Sequence, residues 1–356
     1  MKQPIYIKSA CAISPQHSFN KEEFGKPWTS ADTNLLQAIQ PDHSQYISPV
    51  AIRRMSKLLK MGISSGMQCV KEAGINEIHG IITGTGQGST LDMEQFLKDM
   101  IRLNEEALNP TYFIQSTNNS VNGWLAMLTK CTAYNQTYVH RGLSFDLALF
   151  DAMLMLNETT ATKYLLVGGF DNMTDEYYII KDKIGYWKKD RINSLELLLH
   201  NRSAGTIAGE GSAFVTVTNN PEDTMCALHS IELLPDADAA ETALTINNIL
   251  QANNLSPDDI DTIVCGMNGD KDNQLFFDTI LADYPNATIA AYKHLCGEYD
   301  TASAFGTWVT ATIIKNNHVP EELIVKRNVQ KKIQNALYCN RTLLNQTTIM
   351  LLSNNQ

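Results

Sequence analysis

The chain of 356 residues is 44% hydrophobic and 19% charged, with a formal net charge of −10. Those proportions describe a globular protein with a large core, arranged as two domains or as one large duplicated α/β unit. The acidic balance excludes nucleic acid as a main partner, since phosphate contacts need clustered Lys and Arg.

The seven cysteines, Cys11, Cys69, Cys131, Cys226, Cys265, Cys296 and Cys339, are scattered without a CxxC pair. A reduced, cytoplasmic setting with mostly buried thiols fits that pattern. No apolar run reaches the ~18 residues of a transmembrane helix. The opening MKQPIYIKSACAIS lacks the apolar stretch of a signal peptide and reads as a first strand from Ile5 to Ile7. Residues 15–48 are a polar excursion of weak periodicity. Helical spacing over Ala51–Gly74 predicts a helix that stops on Gly74. GIITGTGQGST (80–90) is a β-branched strand running into a glycine-rich turn, and Met93–Leu103 is the next helix. Pro110–Lys130 reads as a polar, Asn-rich loop leading into a helix from about Val121, with Asn118 and Asn119 as candidate caps.

The stretch from Thr137 to Leu156 organises the rest. A strand ends at Tyr138-Val139, Gly142 permits a sharp turn, and Phe145–Leu156 is an apolar helix; the strand at 162–172 carries Gly168-Gly169. A strand, a tight bend and a helix form a nucleophile elbow, which lifts one side chain onto the positive end of a helix. A cysteine belongs there and none is present: the neighbours are His140, Arg141, Gly142, Leu143 and Ser144, and the nearest thiols are Cys131 and Cys226.

Residues 177–201 read as an irregular aromatic insertion, and Gly205–Asn219 as a turn feeding a strand. The second half predicts a helix from about Ala239, a strand Thr262–Cys265, a helix Leu275–Tyr284, and a strand Thr288–Tyr292. A turn and a long helix follow, then strands at Ala336–Cys339 and Thr348–Leu352. Alternation of strands and helices throughout implies α/β layers with sheets buried on both faces.

Five short motifs occur in order. IRRMSK (52–57), GTGQGST (84–90), VGGFD (167–171), AGEGSAFVTV (208–217) and YKHLCGEYDTASAFG (292–306) resemble, in register, segments of the β-ketoacyl-[acyl-carrier-protein] synthase family. The resemblance, degenerate and chain-length-factor-like, implies a thiolase-like five-layered αβαβα fold of two pseudo-repeated halves, here divided as residues 1–220 and 221–356. It implies a dimer, no cofactor and no metal. The family chemistry is decarboxylative condensation of acyl chains on acyl carrier protein, by one Cys nucleophile and two His residues that stabilise an enolate.

Carried over residue by residue, the nucleophile falls on Gly142, the first histidine on Met267 or Asn268, and the second on Glu298. The lysine before it survives as Lys293. The resemblance therefore implies a condensation-inactive partner subunit shaping an acyl tunnel in fatty acid or polyketide synthesis, of aryl polyene or flexirubin type. Its partners would be acyl carrier protein and an active ketosynthase, as a heterodimer, or a second copy of itself as a homodimer. Arg53, Arg54, Lys57 and Lys60 are either a solvated helix face or the carrier-protein docking site. Tyr112, Phe113 and Trp124 are candidates for limiting chain length. Glu298 and Lys293 could form an ion pair filling the space of a histidine. Two alternatives stand beside this reading: an active acyltransferase or decarboxylase rebuilt around His140, Ser144 or Glu298, and a non-catalytic carrier-protein-binding homodimer. GTGQGST lacks the Lys-Ser/Thr ending of a phosphate loop and is set aside as one.

Overall fold

The structure, a computed structural model, describes residues 3–19, 28–328 and 332–355. Part of the predicted polar excursion, residues 20–27, lies outside them. Among the described residues eleven strands form one hydrogen-bonded sheet in the order β3-β2-β4-β5-β1-β6-β11-β10-β7-β8-β9. The strands are β1 (Ile5–Ile13), β2 (Gly80–Gly84), β3 (Tyr134–Tyr138), β4 (Tyr164–Asp171), β5 (Gly211–Thr218), β6 (Cys226–Leu234), β7 (Thr262–Cys265), β8 (Thr288–Ala291), β9 (Ile324–Lys326), β10 (Asn335–Arg341) and β11 (Thr347–Ser353).

This order contains a duplication. Numbered within each half, β1 to β5 lie as 3-2-4-5-1. The strands β6, β7, β8, β10 and β11 lie in that same order read from the other edge. The halves join where the first strand of each meets the other, through Ile5–Ile7 on Cys226–Leu228. The pairs β2–β3, β2–β4, β7–β8 and β7–β10 are parallel, and the last strand of each half returns antiparallel.

The helices complete five layers. On the outer face of the first half lie α2 (Lys57–Ala73) and α5 (Ser120–Thr129), whose Leu59, Ile63 and Leu125 pack on Ile81, Leu166 and Phe214. Between the halves lie α6 (Ser144–Asn157) and α11 (Ala302–Asn316), with Phe145, Leu149, Phe305 and Val309 against Val167, Val215, Val264 and Tyr338. Beyond the second half lie α8 (Ala239–Ala252) and α9 (Lys271–Leu281), where Ile246, Leu250 and Phe277 cover Ile263, Leu337 and Leu351. Central elements touched on both faces need near-continuous apolar sequence, which is why β4, β5 and α11 are buried along most of their length.

The shorter elements differ from expectation in informative ways. The predicted helix at 51–74 is two pieces, α1 (Pro49–Ile52) and α2, interrupted at Arg53–Ser56. Pro110–Gln115, expected as loop, is a helical turn, α4, started by the Asn109 side chain accepting from Thr111 N and by Pro110 at the first position. The insertion at 177–201 contains α7 (Asp175–Lys183) and a 3-10 stretch at Ser194–His200. Asn119 precedes α5 without a side-chain cap bond, so the predicted asparagine capping does not form there. One further helix, α3 (Thr90–Arg102), packs on α4, and a single turn, α10 (Lys293–Cys296), follows β8.

Candidate functional site

In each half the second and third strands are parallel neighbours, and their carboxyl ends carry the turns of interest. The turn after β3 is the elbow. It bends at Arg141, whose φ of +49° is the left-handed region, rather than at Gly142 as the sequence suggested. A 3-10 turn, Arg141–Leu143, then feeds α6. Gly142 is needed for a different reason: a Cβ there would lie 2.3 Å from Thr342 Cγ2. Its N–H donates to Gln346 Oε1 at 3.1 Å. Thr342 and Gln346 belong to the β10–β11 turn, so that turn lies on the elbow.

Ser144 and His140 are not arranged as nucleophile and base. The Ser144 hydroxyl donates to Arg141 O at 2.7 Å and accepts from His140 N–H at 2.8 Å, while the His140 ring is exposed. Both bonds go to backbone and fasten the bend.

The turns after β7 and β8 meet beside it. Asn268 Nδ2 donates to Glu298 Oε2 at 2.8 Å, and Lys293 Nζ reaches both Glu298 oxygens at 3.0 and 2.9 Å and Arg341 O at 3.0 Å. All three side chains are buried. Of the two residues the sequence left open, Asn268 faces the site and Met267 packs in the outer core of the second half. The predicted Lys293–Glu298 pair forms, and Asn268 extends it. A cation, a carboxylate and an amide satisfying one another leave a closed polar knot with no free base.

Glu298 is held on its backbone too. Its N–H donates to Ile207 O and its carbonyl accepts from Gly209 N–H, at 2.9 and 3.1 Å. The contact admits no side chain at Gly209, where a Cβ would sit 1.9 Å from Cys296 O. This explains the glycine of the AGEG segment: the first half braces the turn of the second. Asp171, ending VGGFD, accepts from Thr85 Oγ1, Gly86 N, Thr301 N and Thr301 Oγ1 at 2.7 to 2.9 Å. Burial and the neighbouring Asp300 raise its pKa to about 6. It ties the glycine-rich turn to the start of α11.

What remains open between the elbow and Glu298 is a crevice of about 20 Å³ lined by Arg141, Gly142, Lys181, Glu298, Asp300 and Thr342, with Tyr186, Tyr299 and two leucines. That is room for roughly one water. Lys181 Nζ sits 3.6 Å from Asp300 and 4.5 Å from the Tyr177 ring centroid. Burial works against its charge, yet Asp300 and Tyr177 hold its pKa above the ordinary value. No thiol or imidazole lines this crevice. Burial pushes the Cys226 and Cys339 thiols up to about 12 and those of Cys265 and Cys296 well above the usual range, the opposite of an activated nucleophile. His294 points away from the knot, its Nε2 on Glu322 O at 2.8 Å, and burial lowers its pKa to about 4.

The basic cluster divides. Lys57 is spent in an ion pair with the buried Glu210, which also accepts from Ala38 N. Lys60 is half-buried on α2, so only Arg53 and Arg54 of the four are exposed. They edge a groove with Met55, Leu91, Gln95 and Tyr112. Trp124 packs partly into the outer core of the first half, leaving Phe113 as the exposed member of the three large residues singled out. Among the described residues no His/Cys/Asp/Glu group could hold a metal ion, and no helix is long and apolar enough to cross a membrane.

The fold is widely shared among solved structures. It is similar to that described as "The ishigamide ketosynthase/chain length factor", at TM-score 0.81 and 16% identity over 99% of both chains. A β-ketoacyl synthase from Burkholderia phymatum STM815 matches at TM-score 0.80 and 12% identity, covering 99% of this chain and 100% of that one. The structure described as "AntDE:AntF (apo): type II PKS acyl-carrier protein in complex with its ketosynthase bound to the hexaketide" matches at TM-score 0.80, 12% identity and the same coverage. Such identities establish the fold, a thiolase-like layered arrangement of two repeated halves. No curated protein matches the sequence. Residues 26–230 match the family described as beta-ketoacyl synthase, N-terminal domain. That is more than half of the chain, which therefore belongs to the β-ketoacyl synthase family.

Proposed function

We propose that this protein is a condensation-inactive ketosynthase-family subunit that pairs with an active ketosynthase in polyketide-type acyl synthesis and completes its acyl tunnel. The observation that carries this reading is the buried Asn268–Glu298–Lys293 knot beside an elbow that bears no thiol. Condensation develops an enolate where the family's histidines donate hydrogen bonds, and a carboxylate there opposes that charge. The relatives described as a ketosynthase/chain length factor and as a carrier protein with its ketosynthase support the class of pathway.

The surface supports a pairing role. Among the described residues strand β3 is an edge of the sheet, and its residues are half-buried or exposed. Leu97 and Ile101 of α3, Phe113 and Ile114 of α4, Met127 of α5 and Val139 are exposed apolar residues on an acidic protein. The Arg53–Arg54 groove is the carrier-protein contact, since carrier proteins are acidic and both arginines are exposed. Phe113, standing on the pairing face, is the residue placed to limit the chain.

Co-expression with a cysteine-containing ketosynthase tests the reading: a stable heterodimer is expected, with no acyl mass added to this chain after incubation with acyl-carrier-protein thioesters. A homodimer that ignores the synthase supports the carrier-binding alternative instead, and an acyl adduct on this chain refutes inactivity.

A further inference from the structure

The missing thiol does not explain why the elbow is also sealed. In an acyl-transferring elbow two things must be free: a backbone N–H aimed at the developing oxyanion, and space for the nucleophile's side chain. Here neither is. The Gly142 N–H is already used, by Gln346 Oε1 at 3.1 Å. The space is already used too, by Thr342, whose Cγ2 lies 2.3 Å from where a Cβ on residue 142 would be.

Both side chains come from one short turn, held in shape by Thr342 N–H on Gln346 O at 3.0 Å and Asn345 N–H on Thr342 O at 3.1 Å. Arg341, whose Nη2 donates to Asn345 Oδ1 at 2.7 Å and whose Cζ lies 4.3 Å from the Phe276 ring centroid, fixes it from the far side. A side-chain amide oxygen is a neutral acceptor for the N–H that an acyl oxyanion would otherwise take.

We propose that the 342–346 turn is a built-in occupant of the elbow, with Gln346 standing in for the acyl oxygen and Thr342 for the nucleophile's side chain. This rests on the inactive-subunit reading and deepens it: silence is enforced twice, once by residue loss and once by occlusion. Restoring a thiol alone therefore does not restore acylation.

The test uses full-length protein carrying Cys131→Ser, because Cys131 is the one partly exposed thiol among the described cysteines. Gly142→Cys is the reporter, read by intact mass with two probes. Iodoacetamide reads space alone; an acyl thioester of pantetheine reads space and the oxyanion donor. With the reporter alone both reactions are slow. Adding Thr342→Gly speeds both. Adding Gln346→Ala speeds acylation by about 100-fold, the scale of one oxyanion donor, and alkylation far less. Equal effects of Gln346→Ala on both probes, or none on acylation, overturn the proposal.

Because Gly142→Cys is strained, amide hydrogen exchange provides a second measurement on the otherwise unaltered chain. The Gly142 N–H is expected to be protected, and Gln346→Ala to remove that protection while leaving β10 and β11 protected; unchanged exchange at Gly142 overturns the proposal equally. None of these outcomes depends on acylation of the unaltered chain, so failure here is distinct from failure of the inactive-subunit reading.

Discussion

Asp146 lies fully buried on the first turn of α6, where Ser303 Oγ donates to it at 2.9 Å. Burial raises its pKa to about 7. A folded-state value above the unfolded one means that the folded protein holds this proton more tightly. The group's contribution is therefore complete below about pH 4 and is lost as pH rises through about 7. Asp146→Asn removes that dependence. Relative to the parent it should gain on the order of 4 kcal/mol between pH 4 and pH 8, measured by urea denaturation at both values. The polar knot makes an opposite prediction. Glu298→Leu strands the buried Lys293 cation and should cost about 3–5 kcal/mol, whereas Lys293→Met combined with Glu298→Leu should recover most of it in the same assay. The family resemblance pointed to Glu298, to Lys293 and to Met267 or Asn268, and the structure brings Asn268 rather than Met267 to the pair. Local sequence could not show Thr342 and Gln346, which reach the elbow from a hairpin about two hundred positions after Gly142. Nor could it show Glu210 taking Lys57, since a buried carboxylate in AGEG reads locally as a turn residue.

At the scale of elements, α2 and α5 touch through glycine. A Cβ on Gly62 would lie 2.8 Å from Val121 Cγ1, and one on Gly66 2.8 Å from Leu125 Cδ2. Alanine favours helices at both positions, so propensity alone predicts a gain of roughly 1 kcal/mol. Overpacking against two branched side chains outweighs it. Gly66→Ala is expected to lose about 1–3 kcal/mol in thermal or urea unfolding, more than the gain that propensity promises. Long periodic elements, such as α2, α6 and α11, were legible because burial on one or two faces writes itself into the sequence. The strand β6 went unread, since His229, Ser230 and the exposed Glu232 break up the apolar pattern of its second half. The helical turn α4 was hidden by its brevity, although Asn109 before Pro110 was a start signal available in the sequence.

At the scale of the whole molecule the proposed pairing makes a prediction. Ile101→Glu with Phe113→Glu places two charges at exposed apolar positions of α3 and α4. It should shift any dimer to monomer in light scattering, with unchanged circular dichroism. Arg53→Glu with Arg54→Glu should weaken carrier-protein binding about tenfold or more at low salt and less at high salt, measured by calorimetry across ionic strengths.

The doubled 3-2-4-5-1 strand order has a wider bearing. Every residue through which chemistry would pass sits on a tip beyond a strand's end, while the layered interior is specified by apolar positions elsewhere. Such a frame can be disarmed at each tip in turn without loosening its walls. On the reading proposed above, decay of reactivity and preservation of shape are separate events, and an emptied copy stays available as a partner for an armed one.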